Sequence, residues 1–129
     1  MPQPSSPPSR PTTSTGANAS GFPLAAAHQL AYNRFLPAAA HARDRSIGLK
    51  NDLAQVAALE PSFDFAINEQ CYQYRECGAL QPFLKAGKPF FNVESTTSRT
   101  GSFWPEAATL GTMSMRKNLA LDAQRWPCW

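Results

Sequence analysis

An α/β fold of parallel β–α units is predicted by three observations. Short apolar runs recur along the chain, each ends in charged or amide residues, and helical spacing fills the segments between them. Ser46-Ile-Gly-Leu-Lys-Asn-Asp52, Phe63-Asp-Phe-Ala-Ile-Asn-Glu-Gln70, Pro89-Phe-Phe-Asn-Val-Glu94 and the weaker Thr112-Met-Ser-Met-Arg-Lys117 are the four runs. Strand interiors favour apolar and β-branched residues, so polar chemistry at an exit marks a strand's end.

In chain order, Gly21-Phe-Pro-Leu24 opens the folded part. Ala27, Ala31, Phe35, Ala38 and Ala42 lie on one face of a helix over residues 25–42. Pro37 inside it removes a hydrogen bond at roughly 3 kcal/mol and predicts a kink or break near Asn33. A strand follows over residues 45–50. Asn51 or Asp52 is placed to cap a helix over residues 53–59, which Pro61 ends. After the strand at residues 63–67, a helix over residues 76–86 turns Leu80, Phe83 and Leu84 inward. Pro82 delays its regular part, and Gly87 stands where a left-handed cap belongs. A strand at 89–93, a polar loop at 95–102, a short helix at 104–110 and a strand at 113–116 come next. Residues 118–125 read as helix, and the end from Trp126 to Trp129 either packs or dangles.

The 129 residues suffice for one domain. Residues 1–20 hold five of the twelve prolines, many Ser and Thr, and little to bury, which predicts a disordered tail. The net charge of +3 is scattered over Arg34, Arg43, Arg45, Lys50, Arg75, Lys85 and Lys88. Nucleic-acid binding needs a basic stripe or patch, so no nucleic-acid partner is expected. No run reaches the roughly 18 apolar residues of a membrane span, and the start lacks the apolar core of an export signal.

The strand exits gather the candidate chemistry: Glu69 first, with Asn68 and Gln70 beside it, then Lys50, Asp52 and Glu94. In α/β proteins ligands sit outside the carboxyl ends of parallel strands. Paired carboxylates about 5–9.5 Å apart are the tools of glycoside hydrolysis, and Asp52, Glu69 and Glu94 all end strands. The alternative is that Glu69 merely begins a solvated loop. His28 and His41 have no serine or cysteine nucleophile placed with them and read as packing or surface residues. Cys71 and Cys77 can close a small loop if the chain turns between them. They are not a CxxC pair, and no further ligands stand nearby for zinc, so neither a metal nor a cofactor is expected. Cys128 is left odd.

Residues 63–94 resemble glycoside hydrolase family 114, the endo-α-1,4-polygalactosaminidase family. Phe63-Asp-Phe-Ala-Ile-Asn-Glu-Gln-Cys-Tyr-Gln-Tyr-Arg-Glu-Cys77 and Phe83-Leu-Lys-Ala-Gly-Lys-Pro-Phe-Phe-Asn-Val-Glu94 carry the resemblance. Gly21-Phe-Pro-Leu24, Leu30-Ala-Tyr-Asn-Arg-Phe35, Gly48-Leu-Lys-Asn-Asp52 and Met115-Arg-Lys-Asn-Leu-Ala-Leu-Asp122 support it. It implies a TIM (β/α)8 barrel that cleaves α-linked galactosamine polymers or α-galactosides. It implies that residues 21–129 are the C-terminal half, with strands five to eight. Glu69 falls on a proposed catalytic carboxylate. The proposed partner aspartate falls in Arg10-Pro-Thr-Thr-Ser14, which holds no carboxylate. The family often has a cysteine where Trp104 stands, which accounts for the odd Cys128, and it is typically exported.

A half barrel has strand edges that invite pairing and allow a homodimer. It also exposes inward faces that a barrel fills in layers, here Ile47, Leu49, Phe65, Ile67, Phe91 and Val93. Four readings follow: a truncated, weak or inactive glycosidase, an enzyme completed by dimerisation, a carbohydrate-binding remnant, or an unstable gene fragment. A galactosamine polymer is cationic near neutral pH, and Asp52, Glu69 and Glu94 could hold its ammonium groups.

Overall fold

The structure is a computed structural model and describes residues 23–95 and 102–127. The expected tail at 1–20 and Cys128 lie outside the described residues, as does most of the loop expected at 95–102. Four parallel strands pair in chain order: β1 (Gly48–Lys50), β2 (Phe65–Glu69), β3 (Phe90–Ser95) and β4 (Met113–Lys117). Right-handed crossovers between strands added always on the same side put every connection on one face of the sheet. This is the succession of a (β/α)8 barrel, and it differs from the doubly wound order, which reverses.

The register explains which residues face which way. Leu49 pairs with Ala66, and Ala66 with Phe90, so these three share a face. All are buried against Val56, Leu59, Phe63, Leu80, Phe83, Phe103 and Ala107 in one core between sheet and helices. Phe65, Ile67, Phe91 and Val93 alternate onto the opposite face and stay half-buried. That face would line the lumen of a closed barrel. Ile47 and Leu49, expected on the lumen face, belong instead to the core face, Leu49 buried and Ile47 packed against it. The reason is the period of two, which fixes Leu49 once Ala66 is inward. Gly48 is on the lumen face because the Phe65 ring lies over it. A Cβ there would come within 2.2 Å of that ring. Phe65 in turn meets Phe91 edge to face, with ring centroids 6.0 Å apart.

The helical layer departs from expectation in four places. Helix α1 (Ala26–His41) runs unbroken through Pro37, which is its buried residue. Its packed face carries Leu30, Asn33, Leu36, Pro37 and Ala40, while Ala27, Ala31, Phe35 and Ala38 face solvent. Alanines have little area to bury, so the larger Leu and Pro side chains decide the orientation. The helix after β1 is split into a 3-10 turn at Leu53–Gln55, a short α2 (Val56–Leu59) and a second 3-10 turn at Glu60–Ser62 around Pro61. Neither Asn51 nor Asp52 caps it through a side chain, because both are in left-handed backbone and their side chains bond elsewhere.

A short helix α3 (Cys71–Tyr74) follows β2 directly, and a disulfide joins Cys71 to Cys77 across a Cα separation of 4.8 Å. A 3-10 turn at Cys77–Leu80 then leads into α4 (Gln81–Lys85), with Pro82 in its first turn and Gly87 left-handed behind it. Helix α5 (Trp104–Leu110) spans the expected residues and ends on left-handed Gly111.

Residues 118–125 do not form the expected helix. Asp122 bonds Asn118 Nδ2 at 2.8 Å and the Gln124 N–H at 3.0 Å, Leu121 is left-handed, and Leu119 and Leu121 are exposed. Side chains that bond their own backbone favour turns over helices, and no apolar face is buried here to offset that. The turn delivers β5 (Arg125–Pro127), which pairs antiparallel with β4. The edge of β4 is therefore covered, and β1 ends the sheet on the other side. A barrel made of two copies would need β4 of one beside β1 of the other, and β5 stands in that place.

Candidate functional site

The carboxyl ends of β1 and β2 are tied together by one side chain. Asn51, just past β1, accepts hydrogen bonds at Oδ1 from Asn68 Nδ2 at 3.1 Å and from the Glu69 N–H at 3.3 Å. Its own N–H reaches the Ile67 carbonyl at 2.8 Å. Asn51, Asp52 and Gln70 all have positive φ, so both strand exits turn through left-handed backbone. Non-glycine residues there cost roughly 1–3 kcal/mol each, and such strain gathers at functional sites.

Glu69 is the last residue of β2 and projects from the lumen face, in register with Val93. Its Oε1 lies 2.9 Å from Lys50 Nζ, and its side chain is 37% exposed. Lys50 shares that face through its pairing with Ile67. Two clefts meet at Glu69. One, of about 380 Å³, is also lined by Lys50, Asp52, Gln29, Asn33 and Leu36. The other, of about 80 Å³, is also lined by Gln70, Glu94, Lys117, Leu119 and Leu121. Asp52 is only 5% exposed, and its Oδ2 accepts from Asn33 Nδ2 at 2.7 Å. Gln29 Nε2 donates in turn to Asn33 Oδ1 at 3.1 Å, so helix α1 holds Asp52 in place.

The remaining candidates separate. Glu94 alternates onto the core face and is fully buried. Its Oε1 accepts from the Tyr72 N–H and from Asn92 Nδ2, both at 3.0 Å. Burial pushes its carboxyl above the usual range, against the opposing pull of these bonds and of Arg116. Asn68 is also buried on the core face, while Gln70 bonds Gln73 at 2.9 Å beside Glu69. The structure thus brings Lys50, Asp52, Glu69 and Gln70 to one mouth and buries Asn68 on the sheet's other face, while Glu94, also buried, borders the smaller cleft from that face.

Both histidines lie outside this mouth. His28 Nδ1 accepts from the Ala25 N–H at 3.0 Å and caps α1. His41 Nε2 lies 3.0 Å from Asp64, at the opposite end of β2 from Glu69. The His41 bond, followed by the Ile47 N–H, lowers the Asp64 carboxyl. Among the described residues no three His, Cys, Asp or Glu side chains gather as metal ligands would.

Residue reading overlooked Asn33 and Asn92 and gave Asn51 only a capping role. An amide at a strand exit was the available signal for Asn51 and Asn92. Asn33 on a helix face carries none.

A chain-ordered parallel sheet with helices on one face and a carboxylate at the strand mouth is part of a (β/α)8 barrel. The chain belongs to glycoside-hydrolase family GH114, whose family model matches residues 12–128. Its structure is similar to the crystal structure of Aspergillus fumigatus Ega3 in complex with galactosamine, with 29% sequence identity and a TM-score of 0.72. That likeness covers 86% of this chain and 49% of the Ega3 chain, so this chain spans about half the length of that protein. No curated protein matches the chain.

Proposed function

We propose that the chain contributes to hydrolysis of α-linked galactosamine polymers, with Glu69 as the catalytic carboxylate. The observation that carries this reading is the place of Glu69: half-buried, on the lumen face, at a strand's carboxyl end and between two clefts. Family membership and likeness to a galactosamine complex support the chemistry. Lys50, Asp52 and Gln70 surround Glu69 as sugar-binding groups. A carboxylate there can hold an amino sugar's ammonium by a charge-assisted bond.

Glycoside hydrolysis uses two carboxyl groups. Asp52 shares the larger cleft with Glu69 but is buried and bonded to Asn33, so turnover by this chain alone is expected to be slow. The test is release of reducing ends from α-1,4-linked galactosamine oligomers, with an α-galactoside as comparison. Glu69→Gln should lower release by at least about 10²-fold while sugar binding persists, since losing one member of a catalytic pair costs orders of magnitude. Release that survives Glu69→Gln sinks the assignment.

A second reading, saccharide binding without turnover, is favoured by the ion pair of Lys50 with Glu69 and the burial of both Asp52 and Glu94. Binding of galactosamine oligomers with no product at all would select it.

A further inference from the structure

The chain leaves β2 at Glu69, reverses through left-handed Gln70 and enters α3 at once. Three consecutive backbone N–H groups in this elbow are taken up by β3. Gln70 N–H donates to the Val93 carbonyl at 2.8 Å, Cys71 N–H to Asn92 Oδ1 at 3.4 Å, and Tyr72 N–H to Glu94 Oε1 at 3.0 Å. Asn92 Nδ2 then donates to the same Glu94 oxygen at 3.0 Å, so the two acceptors brace each other. Asn92 and Glu94 are almost fully buried, although each is a polar side chain on a strand facing a hydrophobic layer.

The far side of the elbow is held as well. The Tyr72 ring stacks on Phe103 with centroids 5.2 Å apart, its hydroxyl bonds Thr112 Oγ1, and Cys71 is bridged to Cys77. Arg116 lies over the Phe103 and Trp104 rings, and its charge acts on Glu94. Burying a carboxylate is unfavourable unless its position is needed and its bonds are made. Apolar residues at 92 and 94 would serve the core alone.

We propose that Asn92 and Glu94 are positioning residues for Glu69. They fix Cys71 and Tyr72, the second and third residues after it, so β3 sets where the β2 carboxylate stands between the two clefts. Glu94 borders the smaller cleft but is fully buried, with its Oε1 taken up by Tyr72 and Asn92, and so acts through Glu69. This inference rests on the reading of Glu69 as the catalytic carboxylate. A misplacement of about 1 Å at a reacting group can lower a rate by about 10²-fold.

The experiment compares the whole chain with Glu94→Gln, Glu94→Ala and Asn92→Ala. It reads kcat and KM on galactosamine oligomers, and amide hydrogen exchange at Cys71 and Tyr72. Glu94→Gln keeps an acceptor for Tyr72 and should stay within about threefold of the parent in kcat, a rescue that a need for charge would not give. Glu94→Ala and Asn92→Ala should lose about 10–10²-fold in kcat with KM within about twofold. Exchange at Tyr72 should quicken at least about tenfold in Glu94→Ala, while Ala66 and Phe90 in the strands keep their protection.

A raised KM with unchanged kcat would mean that Glu94 touches the sugar, and would overturn the inference. Unchanged Tyr72 exchange in Glu94→Ala would overturn it too. Absence of product from the parent chain overturns the hydrolytic reading alone. Tyr72 exchange in Glu94→Ala against Glu94→Gln then decides the inference. Exchange quickened in Glu94→Ala and kept in Glu94→Gln upholds it, and equal exchange in both overturns it.

Discussion

The two faces of the sheet carry polar groups for opposite purposes. On the lumen face Lys50 and Glu69 pair in the open, beside two clefts. On the core face Asn68, Asn92, Glu94 and Ser114 are buried beneath the helices. Neighbours in sequence therefore differ in kind: Asn68 ties β2 to Asn51 from full burial, while the half-buried Glu69 side chain meets Lys50 beside the clefts. The difference teaches that a polar strand exit is two signals interleaved with period two. One set of positions offers chemistry, and the other holds the backbone that presents it.

The comparison breaks most visibly in the core. Phe83→Ala, at a fully buried ring, should destabilise by about 3–5 kcal/mol in urea unfolding. Phe65→Ala on the half-buried lumen face should cost clearly less, about 1–2 kcal/mol, because its ring already meets water in the folded chain. Equal losses would mean that the lumen face is covered in solution. Next in size is the disulfide. Reducing it, or Cys77→Ser, should cost about 2–3 kcal/mol for so short a loop. The same change should quicken exchange in α3 more than in β1.

Glu94 and Asp64 give a pH test with opposite signs. Glu94 has a raised folded pKa, so the folded chain holds its proton more tightly than the unfolded one. Stability should fall as pH rises from the ordinary carboxylate range through that raised value, and Glu94→Gln should remove the fall. Asp64 has a lowered folded pKa, so its contribution is full above the unfolded value and is lost as pH drops through the folded one. Asp64→Asn should flatten that acid limb. Urea midpoints read across acidic to neutral pH would show both slopes, and a single shared slope would contradict the burial of Glu94. Smallest of all is Lys50→Met. The exposed ion pair is worth about 0–1 kcal/mol, so unfolding should barely change. Added salt should matter less in that variant than in the parent.

Much of the architecture was legible because it is local. The four strands, α5, the late start at Pro82 and the turn at Gly87 follow from apolar runs, proline's missing N–H and glycine's left-handed freedom. The orientation of α1 was not legible, since an alanine period names no face until Leu30, Leu36 and Pro37 are packed inward. Nor was β5, which exists because β4 offers an unpaired edge and Asp122 turns the chain back toward it.

By itself the sequence determined the succession of the four parallel strands, the polar strand exits and the motif that places the chain in its family. These depend on neighbours along the chain, whose spacing and turn chemistry are written in the residues. Tertiary structure alone decided that Glu69 opens to a cleft while Glu94 is buried, that Asn51 spans two strands and that Asp52 answers to a helix nineteen residues before it. Those outcomes depend on register, and register is fixed only when one face of each strand is pressed against a common core.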